Sequence, residues 1–309
     1  MEDICQDFAD FCRRFDTEQA CADALFQARW PDGFRCPSCA DSRYYRISTR
    51  RLPLYECAHC GLQTSIIAGT AMEGSSTSLT RWFQALFLLS QPSGISSLRL
   101  SKIIGVTYKT AWLISHKLRH AMQRADASES LTGTVRVQPF HYGSLFFLDS
   151  RQPLILGASV NEQNEPTHVK IKQPHPNHVD NEQRSVLRFG LDAFEKDHTD
   201  GQQVTHHTRA DKSLPVFKRL QWFVGAWLND TFNGIGAKHL QAYLDEFAFR
   251  VNLKLRSVPA FDALLGWCAS TPTIIYKELT KDRPVLPVPW RMWGSRSKWR
   301  GRHLSLWTA

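Results

Sequence analysis

Apolar and polar positions along this chain follow two periods, and the switches between them mark its parts. Over residues 3–15 the apolar positions share one helical face with Phe8, Phe11 and Phe15. Asp16 with Gln19 three residues on reads as a capping box, predicting a second helix that ends near Trp30, where Pro31-Asp32-Gly33 breaks it. YYRIS (44–48) and LYEC (54–57) alternate with period two and predict short strands. After the polar stretch GSSTS (74–78), SLTRWFQALFLLS puts Trp82, Leu86 and Leu89 on one helical face. Residues 96–124 predict a short helix, a turn at Gly105-Val106 and a longer helix striped by Ala111, Ile114, Leu118 and Ala121. From Leu131 the pattern changes to strands, GTVRVQ (133–138), LILGASV (154–160) and THVKIKQ (167–173), the last two joined by the polar turn NEQNE. Helical segments follow around 183–195, 215–228 and 237–250.

Three strands in sequence followed by helices suit an α+β or mixed sheet such as an RNase H-like fold, although other α/β folds share that pattern. With 309 residues the chain has room for one large domain and one or two small ones, so a multidomain α+β protein is expected. The opening MEDICQDFADFCRRF is acidic and then amphipathic, and no window approaches eighteen consecutive apolar residues. A cytoplasmic protein without membrane spans is the expectation.

The net charge is +9 and unevenly spread. Residues 96–124 carry Arg99, Lys102, Lys109, Lys117, Arg119 and Arg124 with no acid, and residues 283–309 carry six Lys and Arg, again with no acid. Two acid-free basic blocks suggest a polyanionic partner, the alternative being the solvated faces of a helix and a tail. In the first block Lys102, Thr107, Tyr108, Lys109, Thr110, Lys117 and Arg119 are the candidate DNA contacts, because a helix-turn-helix presents the start of its second helix to the major groove. A plain helical hairpin is the competing reading.

The eight cysteines fall into two sets. Cys36-Pro-Ser-Cys39 and Cys57-Ala-His-Cys60 are C-x-x-C pairs separated by seventeen residues, with Gly61 after the second where a positive φ is useful. Four thiolates on two knuckles predict a closed tetrahedral zinc site of a structural kind, a zinc ribbon. Cys5, Cys12, Cys21 and Cys268 lie in apolar helical contexts and read as core residues.

WPDGFRCPSC (30–39), TSIIAGTAM (64–72), LRLSKIIGVTYKTAW (98–112), HKLRHAM (116–122) and KHLQAYLDEFAFRVN (238–252) resemble bacterial insertion-sequence transposases. That family joins an N-terminal zinc ribbon to a helix-turn-helix and a DDE-type, RNase H-like integrase domain. The resemblance implies N-terminal helices over 1–30, a ribbon over 31–73, a helix-turn-helix segment over 77–125, a degenerate RNase H-like domain over 131–255, and a C-terminal helix with a basic, Trp-rich tail over 256–309. It also implies binding to the terminal inverted repeats of an element, assembly as a homo-oligomer on DNA, and strand transfer by two Mg²⁺ ions.

The catalytic positions implied by the resemblance are altered. In the family a strand similar to V-E-V-D-E ends in the first aspartate; here Val135-Arg136-Val137-Gln138-Pro139 puts Gln138 there. Thr199-Asp200-Gly201 matches the family triplet T-D-G, making Asp200 the candidate second aspartate, while a competing alignment through QQVTHH puts His207 there. The third motif aligns on Leu214, Pro215, Arg219, Trp227 and Leu228, which puts Phe223 at the catalytic asparagine and Gly225 at the lysine. Two Mg²⁺ ions about 3.5–4 Å apart call for anionic oxygen ligands, which glutamine and phenylalanine do not supply. Asp149, Asp200 and Glu246 could form a substitute set, although Glu246 also reads as an i,i+4 partner of Arg250. His175, His178, His206 and His207 could gather a metal or remain loop residues, and PWRMWGSRSKWRGRH (289–303) mixes Trp with Arg and Lys as a strand-binding segment or a tail would.

Overall fold

The computed structural model of the chain describes residues 2–143, 148–180, 182–207, 214–289 and 306–307. They form two compact units, one of residues 1–121 with 259–279 and the other of residues 122–258 with 280–309. The block PWRMWGSRSKWRGRH lies outside the described residues apart from Pro289, and so does most of the apolar stretch before Asp149.

The first unit opens with α1 (Glu2–Arg14) and α2 (Glu18–Arg29). The cap of α2 is Thr17 rather than Asp16: its hydroxyl accepts from the Ala20 N–H at 3.2 Å. A three-stranded antiparallel ribbon follows, β1 (Tyr44–Ile47), β2 (Leu54–Cys57) and β3 (Gln63–Ser65). Phe26 and Trp30 at the end of α2 meet Phe34, Tyr44 and Tyr55 of the ribbon in one aromatic cluster, with ring centroids 4.9–6.2 Å apart. Such pairs are worth about 0.5–1.5 kcal/mol each beyond area burial, so α2 and the ribbon stabilise one another.

Next come α3 (Leu79–Ser90), α4 (Ser97–Ile104) and α5 (Tyr108–Ala127). The chain then returns to this unit from its far end. In α9 (Ala260–Ser270), Leu264, Leu265, Cys268 and Ala269 are buried, and α9 packs against α2 and α3. Phe261 completes an aromatic group with Phe11, Phe15 and Phe83. The Cys268 carbonyl accepts the Ala71 N–H at 2.9 Å. The C-terminal helix expected beyond 256 is therefore part of the N-terminal unit's core. A short helix, α10 (Tyr276–Thr280), follows it.

The second unit is built on a four-stranded mixed sheet. Its first three strands, β4 (Thr134–Tyr142), β5 (Gln152–Val160) and β6 (Pro166–Lys172), pair antiparallel in sequence order. Two short strands, β7 (Val179–Asp180) and β8 (Ser185–Val186), pair in a small hairpin, and α6 (Arg188–His198) leads to β9 (Gln203–His206). β9 lies parallel to β4 on the side away from β5, giving the order β6-β5-β4-β9. Period two along β4 splits its side chains between two cores. Val135 and Val137 face α6 with Leu191 and Phe194, whereas Phe140 and Tyr142 face α7 (Pro215–Phe232) and α8 (Ala237–Leu255). The last two strands, β10 (Val288–Pro289) and β11 (Leu306–Trp307), pair with each other.

The edge strand β6 is covered by side chains of α8. Asn252 accepts the Val169 N–H at 2.8 Å and donates to the Val169 carbonyl at 2.9 Å. Gln241 donates to the Ile171 carbonyl at 3.0 Å and accepts the Gln173 N–H at 2.7 Å. These amides occupy ladder groups that would otherwise template another strand. The stretch KHLQAYLDEFAFRVN thus has a structural reason for its polar residues.

Candidate zinc centre and nucleic-acid interface

The two knuckles bring four sulfurs together. The Sγ atoms of Cys36, Cys39, Cys57 and Cys60 all lie within 4.8 Å of one another, with Cys36 and Cys60 at 3.6 Å and Cys39 and Cys57 at 3.5 Å. Tetrahedral zinc with bonds of about 2.3 Å sets its sulfurs about 3.8 Å apart, so the cluster fits that ion. A hydrogen bond from the Cys39 N–H holds Cys36 down at about 6, while burial and the neighbouring sulfurs push Cys39 up to about 12 and raise Cys60. Gly61 takes the expected positive φ of 69°. Cys21 and Cys268 are buried, Cys12 is half-buried, and the Cys5 side chain lies outside the described residues. Burial pushes the Cys21 thiol up to about 12, which suits an inert core residue.

The second candidate element is the α4-turn-α5 segment. Gly105 ends α4 with φ 65° and ψ 43°, and its N–H donates to the Ser101 carbonyl. Thr107 then starts α5, its hydroxyl accepting the Thr110 N–H at 3.2 Å. Lys102, Thr107, Tyr108 and Lys109 are exposed, and Thr110 is half-buried. Lys117 and Arg119 differ from the expectation: at 7% and 1% exposure they lie inside the unit, because the second half of α5 is buried nearly all round. The Lys117 ammonium donates to the Glu73 carbonyl at 3.3 Å, and burial lowers its pKa. The solvent-facing cations of the block are Arg99, Lys102, Lys109 and Arg124.

The third place is the strand end at Gln138. Gln138 is buried, on the face of β4 that looks toward α7 and α8. In the parallel register Val137 pairs with His206, and the His207 N–H donates to the Val137 carbonyl at 2.8 Å, which sets His207 abreast of Gln138. Asp200 is held elsewhere: its N–H donates to the Leu131 carbonyl at 2.8 Å, ahead of β4. At about 3.3 Å per residue that is roughly 20 Å from Gln138, whereas His207, the alternative alignment, lies abreast of it.

The other candidates are also dispersed. Phe223 is 51% exposed on α7, and Asp149 is exposed. Glu246 is fully buried with its carboxylate 2.5 Å from Arg250, the i,i+4 pairing expected for it. His175 accepts the Asn177 N–H, and His206 Nε2 is 2.8 Å from the Glu195 carboxylate on α6. Among the described residues, no second group of three or more His, Cys, Asp and Glu side chains converges as the four cysteines do.

Local sequence patterns carry no sign of a buried ionic network in the second unit. Lys172 reaches Asp126 at 2.6 Å and Asp245 at 2.7 Å, and Lys170 reaches Asp126 at 3.1 Å. Burial alone would raise the Asp126 carboxyl, but the two lysines outweigh it and leave its pKa lowered. The network ties the end of α5 and the middle of α8 to β6.

Comparison with known proteins supplies the class. Residues 16–63 match the family described as transposase zinc-ribbon domain, a span that includes α2 as well as all four cysteines. A second match, 29% identical over 131 residues, is an uncharacterized protein in transposable element ISH50 of Halobacterium salinarum; it covers 42% of this chain and 43% of that relative. No solved structure matches the chain. The two matches support a transposase family. The matches support a transposase-like protein of a mobile element, and the four-cysteine cluster indicates structural zinc. Among the described residues no helix is long and apolar enough to cross a membrane.

Proposed function

We propose that this protein binds the DNA ends of its element through the α4-turn-α5 segment, supported by the zinc ribbon, and does not itself carry out two-metal strand transfer. The observation that carries this reading is the pairing of Gln138 and His207 at adjacent places on β4 and after β9. An RNase H-like sheet, the fold proposed for the second unit, presents its metal ligands from such adjacent strand ends, and here an amide and an imidazole stand where carboxylates are needed. Hard Mg²⁺ prefers oxygen ligands, and a two-ion site needs anionic ones to offset its charge.

For DNA, Lys102 and Lys109 are the phosphate contacts, and Tyr108 and Thr110 face the groove from the first turn of α5. Thr107, whose hydroxyl caps the helix, sets its angle of entry. A protein of this kind would act on its element as a repressor or as an assembly partner of an active transposase.

The test is duplex binding over a salt series with DNA carrying the terminal repeats. Replacing Lys102 and Lys109 together by Gln should lower the slope of log affinity against log salt by about 1.8, since each phosphate contact contributes about 0.9. An unchanged slope would remove α4 and α5 from the interface.

A further inference from the structure

We propose that the outward face of α7 is a stacking platform for an unpaired stretch of DNA, separate from the duplex interface on α5. Helix α7 is amphipathic in an unusual sense. Its inner face, Phe217, Leu220, Val224 and Leu228, is buried against the sheet, but its outer face carries two large aromatic rings. Trp222 is 68% exposed and Phe223 51%, and the two rings meet edge to face at 5.1 Å. An edge contact leaves broad ring faces open to solvent.

What surrounds the rings decides what they suit. Lys218 and Arg219 are both exposed and lie one turn before Trp222 and Phe223, on the same side of the helix. On α7 no acidic residue occurs before Asp230, which lies two turns beyond Phe223 and three beyond Arg219. A Cβ added at Gly225, one turn after Trp222, would meet nothing within 4 Å, so this part of the helix surface is open. Aromatic faces whose nearest charged neighbours on the helix, one turn away, are the cations Lys218 and Arg219 complement a chain of bases and phosphates. A duplex keeps its base faces covered by stacking, so rings of this kind engage unpaired nucleotides. Recognition through π-faces and phosphates is tolerant of sequence, and holds whether or not α5 binds duplex.

The experiment measures anisotropy of a labelled oligothymidylate of about 20 nucleotides, and of a random duplex, with the full zinc-bound chain. Trp222→Ala with Phe223→Ala should weaken oligothymidylate binding about tenfold or more and leave duplex affinity within about twofold. Lys218→Gln with Arg219→Gln should reduce the salt slope on the single strand by about 1.4. Should the double alanine variant fail to fold, Trp222→Phe should retain binding while Trp222→Leu loses it, because only the first keeps a ring. The proposal is overturned if wild type does not bind the oligothymidylate or if the aromatic variants bind it as tightly as wild type. It is equally overturned if those variants lose self-association in sedimentation while single-strand binding stays intact.

Discussion

The backbone N–H of His207 donates to the carbonyl of Val137 at 2.8 Å, and this one bond fixes which residue stands beside Gln138. Asp200 lies near Leu131 instead, so the residue beside Gln138 is an imidazole and not a carboxylate. An engineered pair should restore what is missing. Gln138→Asp with His207→Asp should create a site whose thermal midpoint rises on adding Mg²⁺, by linkage of about 2.7 kcal/mol at a hundred times the dissociation constant. Wild type should show no such rise, and a Mg²⁺-dependent shift in wild type would mean that other ligands converge there.

The zinc site should be needed for the ribbon to fold. Cys39→Ser or Cys60→Ser removes one of four ligands, and structural zinc is worth about 10–16 kcal/mol in small domains. Bound zinc measured by atomic emission should fall from one ion per chain to well below one, with new protease cuts between β1 and β2. Because Tyr55 and Phe34 pack on Trp30, the loss should also expose α2, seen as a red shift in tryptophan emission.

Lys172 joins two buried carboxylates, so removing it alone is costly. Lys172→Met should destabilise the second unit by about 3–5 kcal/mol in urea unfolding, because Asp245, whose pKa is already raised by burial, loses the cation that offsets that burial. Lys172→Met with Asp245→Leu should recover most of that loss. Additive losses in the double variant would contradict the pairing.

Acid should weaken the second unit through His198. Burial, reinforced by Lys172 and Lys170, lowers its pKa from 6.5 to about 4, so the folded chain holds its ring neutral where the unfolded chain would charge it. The unfolded state then binds more protons in this window, and stability is whole above about 6.5, declines as pH falls, and has lost this share below about 4. His198→Gln should flatten the midpoint against pH in that range. A slope equal to wild type would assign it to other groups.

A single methyl group tests the packing of α6 on the sheet. A Cβ on Gly157 would come within 2.6 Å of the Phe194 ring and 2.9 Å of Leu131. Gly157→Ala should therefore cost about 1–3 kcal/mol by overpacking, measured by urea unfolding. No loss would mean that α6 yields easily.

The local patterns explain why some of this is readable in the chain and some is not. The four cysteines carry their chemistry in their spacing, the first half of β4 carries its strand signal in alternation and β5 in a continuous apolar run buried at every position, so these are legible. Strand β9 is four residues, Gln203-Val-Thr-His206, with one apolar side chain, and its pairing depends on a parallel neighbour some seventy residues away. Sequence pattern holds no record of such register, so a literal triplet points to Asp200 without showing which residue lies beside Gln138. Lys117 and Arg119 belong to a basic run whose charge count does not distinguish a solvated face from a buried one. The return of α9 and the partners of Asp126 are likewise long-range facts.

The most direct measurement is Mg²⁺-dependent cleavage and joining of DNA carrying the element's terminal repeats by the wild-type chain, with binding of the same DNA followed in parallel. The account predicts binding that weakens steeply with salt and no cut or joined product. Products formed by the wild-type chain would contradict it and would mean that strand transfer proceeds without a carboxylate at Gln138.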